Sequence, residues 1–126
     1  MTDLEKVQQD GRAIQFIDNP SEELKLAAVQ KNGYAIEYIE NPSREVQLEA
    51  VWQNGNTIHF IDNPTEEVQL TAVQQCGSAI RFIKNPSEEV QLAAVQKNGY
   101  AIDFIENPTE AVKRASEESK SESESI

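Results

Sequence analysis

The segment from residue 19 to residue 40 decides the fold, and it reads NPSEELKLAAVQKNGYAIEYIE. The same pattern recurs along the chain, because every glycine and every proline falls on a 22-residue period. The prolines are Pro20, Pro42, Pro64, Pro86 and Pro108. A fixed period of this length is the signature of a repeat array, in which each unit is one supersecondary element.

Each unit carries signals for a long helix followed by a short one. Proline is favoured in the first turn of a helix, where either Asn19 or Ser21 can accept hydrogen bonds from the free N–H groups. We expect the long helix to end at Asn32-Gly33, with the glycine in the left-handed conformation common at helix ends. A second helix, about six residues long, is predicted over Tyr34–Ile39, since the next Asn-Pro pair ends it.

Helical periodicity separates the inward positions of a unit from its outward positions. On the long helix the predicted inward residues are Leu24, Leu26, Ala28 and Val29. On the short helix they are Ala35, Ile36, Tyr38 and Ile39. The position of Tyr38 is aromatic in all five units, and we expect these rings to lie in the core.

A helix pair of this size cannot bury its own apolar face, so neighbouring units must stack and share one core. The sequence therefore predicts an all-α fold, a right-handed α-solenoid of five to six two-helix units with polar caps. The predicted parts are units 1 to 5 over 1–18, 19–40, 41–62, 63–84 and 85–106, and a C-terminal cap helix over 107–118.

Both ends of the array show signs of termination. Thr2 and Glu5 form a capping-box pattern for a shortened first helix. Arg114 and Glu117 replace apolar residues of the repeat, as a terminal cap requires. Residues 119–126 consist almost entirely of Ser, Glu and Lys, and we expect them to form a disordered acidic tail.

The pattern Ala-Val-x-x-Asn-Gly-x-Ala-Ile, found at residues 28–36, resembles a short helical repeat of bacterial and phage proteins that form a family of unknown function. It is also similar in style to leucine-rich repeat variant solenoids. The resemblance covers about residues 3–115. It implies an all-helical scaffold, often in a phage setting, and it assigns no catalytic residue.

The charge balance limits the partners that this chain can bind. It has 22 acidic and 11 basic residues, a net charge of -11. This excess opposes direct binding to nucleic acid phosphates and to anionic membranes, both of which require Lys or Arg. The single cysteine, Cys76, and the lack of a long apolar run lead us to expect a cytoplasmic protein.

The residues give little reason to expect an enzyme. His59 is the only histidine in the sequence. No pair of cysteines and no spaced cluster of carboxylates accompanies it to complete a metal site. Cys76 replaces a repeated asparagine and is interpreted as a structural, partly buried cysteine. The paired glutamates stand in first helical turns, where the helix dipole favours them. We therefore expect no catalytic residue, cofactor or metal.

Outward positions that vary between units are the candidates for partner binding. Trp52 stands where every other unit has glutamine, and tryptophan is enriched in interface hot spots. The candidate residues are Trp52, His59, Asn56, Arg81, Tyr34 and Tyr100. The sequence leaves open whether Trp52 and the short-helix residues lie on one face.

Two functions are consistent with these features. The first is a non-enzymatic scaffold that binds a protein partner through its variable outward face. The second is an acidic phage-type inhibitor that blocks a basic nucleic-acid-handling protein, as an anti-defence or DNA-mimic protein would; this requires the charge to be concentrated on one face. The chain is expected to be a monomer or a lateral homodimer, since Arg114 and Glu117 oppose end-to-end stacking.

Overall fold

The computed structural model describes residues 1–124, and these residues form eleven helices and no strand. The α-helices are α1 (Asp3–Gln9), α2 (Glu22–Lys31), α3 (Arg44–Gln53), α4 (Glu66–Gln75), α5 (Glu88–Lys97) and α6 (Glu110–Glu124). They alternate with short 3-10 helices, η1 (Gly11–Phe16), η2 (Gly33–Tyr38), η3 (Gly55–Phe60), η4 (Gly77–Phe82) and η5 (Gly99–Phe104). No helix in this part of the chain has both the length and the apolar character needed to cross a bilayer.

The helices pack strictly against their neighbours in the chain. Each α-helix contacts the next α-helix, and each 3-10 helix contacts the next 3-10 helix. Each 3-10 helix also contacts the α-helix of its own unit and the α-helix that follows. The α-helices thus form one layer of a rod and the 3-10 helices form the other. The prediction of an all-α solenoid is confirmed, while the right-handed sense of its superhelix stays a prediction.

The start of each long helix is set by the hydroxyl residue after the Asn-Pro pair. Ser21 is the N-cap of α2, and its Oγ accepts a hydrogen bond from the N–H of Leu24 at 3.2 Å. At α1 the predicted capping box between Thr2 and Glu5 is present. The asparagine before each proline makes the turn instead, with φ between 47° and 53° in all five units. Asparagine is among the few residues that adopt this left-handed conformation readily.

The repeated glycine has a different role from the one that the sequence predicts. No glycine has a positive φ in residues 1–124, so the expected left-handed helix end at Gly33 is wrong. Gly33 begins η2, which starts and ends one residue earlier than predicted. A Cβ atom there would lie 2.9 Å from the carbonyl oxygen of Ala50, and one on Gly55 would lie 2.2 Å from that of Ala72. Glycine therefore allows a 3-10 helix to approach the backbone of the next α-helix.

The core is a column of small and branched apolar residues that runs through every unit. Ala28, Val29 and Ile36 are buried, as predicted. The leucine row packs against the core, as its predicted inward position requires, but it is only half-buried. Its members are Leu4, Leu26, Leu48, Leu70 and Leu92. Leu24 is also half-buried, whereas valines at its position in units 3 to 5 are buried.

The last helix closes the array and extends beyond the predicted cap. Val112 and Ser116 take the buried positions, and the Oγ of Ser116 donates a hydrogen bond to the carbonyl oxygen of Gly99 at 2.7 Å. Arg114 and Glu117 are exposed, as expected for a polar cap. Because α6 continues to Glu124, the predicted disorder is wrong for residues 119–124. The last two residues of that predicted tail lie outside the described residues.

We expect Gly55→Ala to destabilise the chain more than Gly33→Ala does. The added methyl group meets a backbone oxygen at 2.2 Å in the first variant and at 2.9 Å in the second. Overpacking of this kind costs about 1–3 kcal/mol. Urea unfolding of the two variants measures the difference. If Gly55→Ala were stabilising, as helix propensity alone would make it, the close-approach explanation would be wrong.

The structure also predicts that Cys76→Asn stabilises the chain. The asparagines at this position in units 2, 3 and 5 accept a hydrogen bond from the N–H two residues later, but η4 has no side-chain cap. Restoring the cap should raise the free energy of unfolding by about 1 kcal/mol. Cys76→Ala is the matched control, because it removes the thiol without adding an acceptor. An equal change in both variants would contradict the prediction.

Candidate functional site

A row of aromatic rings follows the short-helix face of the rod. The aromatic row consists of the last residues of η1 to η5, namely Phe16, Tyr38, Phe60, Phe82 and Phe104. Phe16, Tyr38 and Phe104 are 82%, 39% and 47% exposed, and Phe60 and Phe82 are half-buried. The prediction that these rings lie in the core is therefore wrong for Phe16, Tyr38 and Phe104, whereas Phe60 and Phe82 pack against the core at its edge. With three residues per turn, the aromatic residue flanks the buried line of Gly33, Ile36 and Ile39 rather than joining it.

The rings in the middle of the row are joined by the side chains between them. His59 lies between two rings, with centroid distances of 5.2 Å to Phe60 and 4.6 Å to Phe82. The guanidinium carbon of Arg81 lies 4.7 Å from the Phe82 centroid and 5.9 Å from that of Phe104. Such cation–π contacts are favourable where the cation stands over the ring face. The result is a continuous surface of stacked rings and cationic or imidazole groups.

The structure brings three of the six predicted candidates together at this row. These are His59, Arg81 and Tyr34, whose ring meets Phe60 edge-on at a centroid distance of 6.1 Å. Tyr34 also accepts a hydrogen bond from Asn54 Nδ2 at its hydroxyl. The short-helix part of the predicted surface thus forms one connected patch, which includes the row residues that the sequence analysis assigned to the core.

The other three candidates lie apart from this patch or are engaged in contacts of their own. Asn56 is half-buried, and its Oδ1 accepts a hydrogen bond from the thiol of Cys76 at 3.7 Å. Tyr100 donates its hydroxyl hydrogen to Glu124 at 2.9 Å, and this bond raises the pKa of Tyr100. Trp52 is 61% exposed on α3, and within residues 1–124 it has no ring contact with the aromatic row.

Three grooves open between neighbouring units, beside the aromatic row. Each is walled by the isoleucine that ends one 3-10 helix, by the proline that follows it and by the row residue of the next unit. The first groove has Ile17, Pro20 and Tyr38, the second has Ile61, Pro64 and Phe82, and the third has Ile83, Pro86 and Phe104. The second groove encloses a volume of about 590 Å³ and, like the others, has an apolar wall of the kind that binds ligands.

The same side of the rod carries most of the net charge. We define the acidic edge as the exposed carboxylates around the Asn-Pro turns, and its twelve members are Asp18, Glu22, Glu23, Glu40, Glu45, Asp62, Glu66, Glu67, Glu88, Glu89, Glu106 and Glu110. Four cations lie among them: Arg44, Lys84, Lys25, which lines the first groove, and Lys113, which pairs with Glu110. The edge therefore holds eight of the eleven net negative charges of the chain.

Hydrogen bonds between units align this edge. The Oγ of Ser87 donates to Glu66 at 2.5 Å, and Ser43 donates to Glu22 in the same way. Arg44 donates two hydrogen bonds to Glu67 at 2.6 and 2.7 Å, and the resulting pairing lowers the pKa of Glu67. Glu40, Asp62 and Glu106 line the first, second and third grooves, and Lys25 and Lys84 line the first and the second. The lining of the third groove is therefore negatively charged, whereas a lysine balances the carboxylate in each of the other two.

Among residues 1–124, no three His, Cys, Asp or Glu side chains are grouped as metal ligands would be. No protein-family model, curated protein or solved structure matches this chain. The resemblance to a bacterial and phage helical repeat therefore stays a prediction.

The stacking along the row predicts different costs for two equivalent substitutions. Phe82 is half-buried between His59 and Arg81, whereas Phe16 is 82% exposed. Phe82→Ala should lower the free energy of unfolding by about 1–3 kcal/mol, and Phe16→Ala by less than about 0.5 kcal/mol. Chemical denaturation of both variants provides the measurement. Equal losses would show that the stacking does not stabilise the row.

Proposed function

We propose that this protein is a non-enzymatic scaffold that binds a protein partner through its short-helix face. The observation that carries the proposal is the connected patch of Tyr34, Phe60, His59, Phe82 and Arg81 at the surface of a very polar chain. Aromatic residues and arginine are enriched in interface hot spots. Connected exposed rings are costly in water unless a partner covers them, and they commonly mark interaction sites.

The acidic edge supports a partner that is positively charged near the patch. Its carboxylates lie beside the grooves that border the aromatic row, so a docked segment meets both surfaces. Complementary charge increases the rate of association and selects among partners. The same field repels nucleic acid phosphates. The proposal therefore names a protein partner, met in the cytoplasm, where the single cysteine suits a reducing environment.

A second candidate function is favoured by the acidic edge alone. Concentration of charge on one side is the condition under which an acidic inhibitor could block a basic nucleic-acid-handling protein. B-DNA carries one charge per about 1.7 Å of axis. The edge has only two or three carboxylates at each Asn-Pro turn, and packed helices are spaced by about 8–10 Å. The acidic edge thus carries fewer charges per unit length than B-DNA, and apolar grooves lie beside it. For these two reasons the scaffold is the better supported function.

The proposal is tested by selecting binders from a displayed library of random peptides, with the wild-type chain as the bait. Selected peptides are then measured against a variant with His59→Ala and Arg81→Ala, two exposed substitutions in the patch. We expect affinity to fall by on the order of tenfold or more, as removal of interface anchors does. Circular dichroism and urea unfolding confirm that the variant is folded.

Trp52→Ala is the matched control, because Trp52 is large and exposed but lies outside the patch. Binding that survives Trp52→Ala and is lost in the double variant supports the short-helix face. Binders that depend on Trp52 alone would place the site on the α-helix layer and overturn the proposal. If binding disappears at moderate salt and is unchanged in the double variant, the result would instead favour the acidic inhibitor.

A further inference from the structure

We propose that the short-helix face binds an extended, proline-rich peptide that carries arginine or lysine at every third residue. The peptide lies along the aromatic row in the polyproline II conformation, with prolines in the grooves and basic side chains over the acidic edge. This inference rests on the proposed function and names the chemistry of its partner.

The first argument is the spacing of the grooves. His59 stands between Phe60 and Phe82 at 5.2 and 4.6 Å from their centroids, so these two rings are at most about 10 Å apart, in keeping with the usual spacing of packed helices. A polyproline II helix repeats every three residues, and it rises about 9.3 Å in that distance. A residue in the second groove and the residue three positions along such a peptide can therefore occupy the second and third grooves, which lie in adjacent units.

The second argument is the chemistry of the groove walls. The second and third grooves, in adjacent units, each combine an isoleucine, a proline and a phenylalanine ring. Proline-rich segments dock into aromatic-lined grooves because they are already ordered and lose little entropy on binding. The second groove is separated from the third by the ring of Phe82, which has both His59 and Arg81 against it. The surface is thus a series of separate pockets that suits one residue per unit.

The third argument is charge complementarity. The carboxylates of Glu40, Asp62 and Glu106 line the first, second and third grooves. Lys25 and Lys84 oppose the first two of them, so the attraction for a basic peptide comes from the third groove and from the carboxylates of the acidic edge beside all three. A polyproline II helix has three faces, so a basic residue at each third position presents all its charges on one side. That side faces the acidic edge when the prolines face the grooves.

Other peptide conformations match this surface less well. A β-strand returns to the same side about every 6.7 Å, and strand addition needs a sheet edge, which residues 1–124 do not provide. An α-helix returns after seven residues and about 10.5 Å, but it is about 10–12 Å wide. A cylinder of that width would rest on the rings and leave the separate pockets empty.

The test uses four synthetic peptides and fluorescence anisotropy with the whole chain. The probe contains five repeats of Pro-Pro-Arg. The comparison peptides contain five repeats of Gly-Ser-Arg, which keeps the charge, or five repeats of Pro-Pro-Glu, which keeps the conformation. The fourth is a 15-residue amphipathic helix rich in Leu and Arg. We expect the Pro-Pro-Arg probe to bind on the order of tenfold tighter than each of the others.

Variants of the chain locate the bound peptide. Phe104→Ala removes a ring from the third groove, and Asp62→Asn combined with Glu106→Gln removes two groove carboxylates. Each should weaken the Pro-Pro-Arg probe by at least about fivefold. Glu117→Gln combined with Glu118→Gln is the control, because it removes the same charge from exposed positions of α6. The exposed carboxylate variants keep the test valid even if Phe104→Ala unfolds.

The outcomes separate this inference from the proposed function. Equal binding of the Pro-Pro-Arg and Gly-Ser-Arg peptides would overturn the inference, because charge alone would account for the affinity. Tightest binding by the amphipathic helix would also overturn it. In both cases the proposed function survives if library binders still depend on His59 and Arg81. Loss of that dependence would instead remove the proposed function itself.

Discussion

The close approach of each 3-10 helix to the backbone of the next α-helix is the constraint on which the rest of the structure depends. A glycine in each unit allows it, because any Cβ atom would meet a carbonyl oxygen at 2.9 Å or less in units 1 to 5. This contact brings the buried residues of successive units, such as Ile36 in one unit and Ile58 in the next, into one core. It also sets the distance between neighbouring rings of the aromatic row, so the same packing that stabilises the rod spaces its grooves.

The sequence predicted the architecture well because each unit repeats the same signals. The hydroxyl caps, the Asn-Pro turns and the branched residues of the core all recur every 22 residues, and comparison of units makes them clear. The prediction for Gly33 was wrong because a glycine at a helix end usually adopts the left-handed conformation. Here the glycine instead leaves room for the carbonyl oxygen of Ala50 in the next α-helix. The end of α6 beyond residue 118 was missed because the polar composition of this segment hides contacts such as that of Glu124 with Tyr100.

The candidate site was predicted only in part. His59 and Arg81 were identified because they vary, but the aromatic row was assigned to the core because it repeats. A repeated ring serves the core in many solenoids; here the 3-10 geometry places it at the boundary with solvent. The acidic edge was missed for another reason. The net charge of -11 does not show where the charges lie, whereas the stacked Asn-Pro turns bring most of them to one side of the rod. Contacts such as that of Arg44 with Glu67 join neighbouring turns there.

The strict packing of each unit on its neighbours has a consequence for how such a protein changes over time. No contact in residues 1–124 joins helices more than one unit apart, so tandem duplication or loss of 22 codons alters the rod locally. Each inserted copy would bring its own ring, proline and turn carboxylates. The length of the rod and its contact area then change together by one unit at a time. Evolution can therefore lengthen or shorten this surface without changing the residues of the other units.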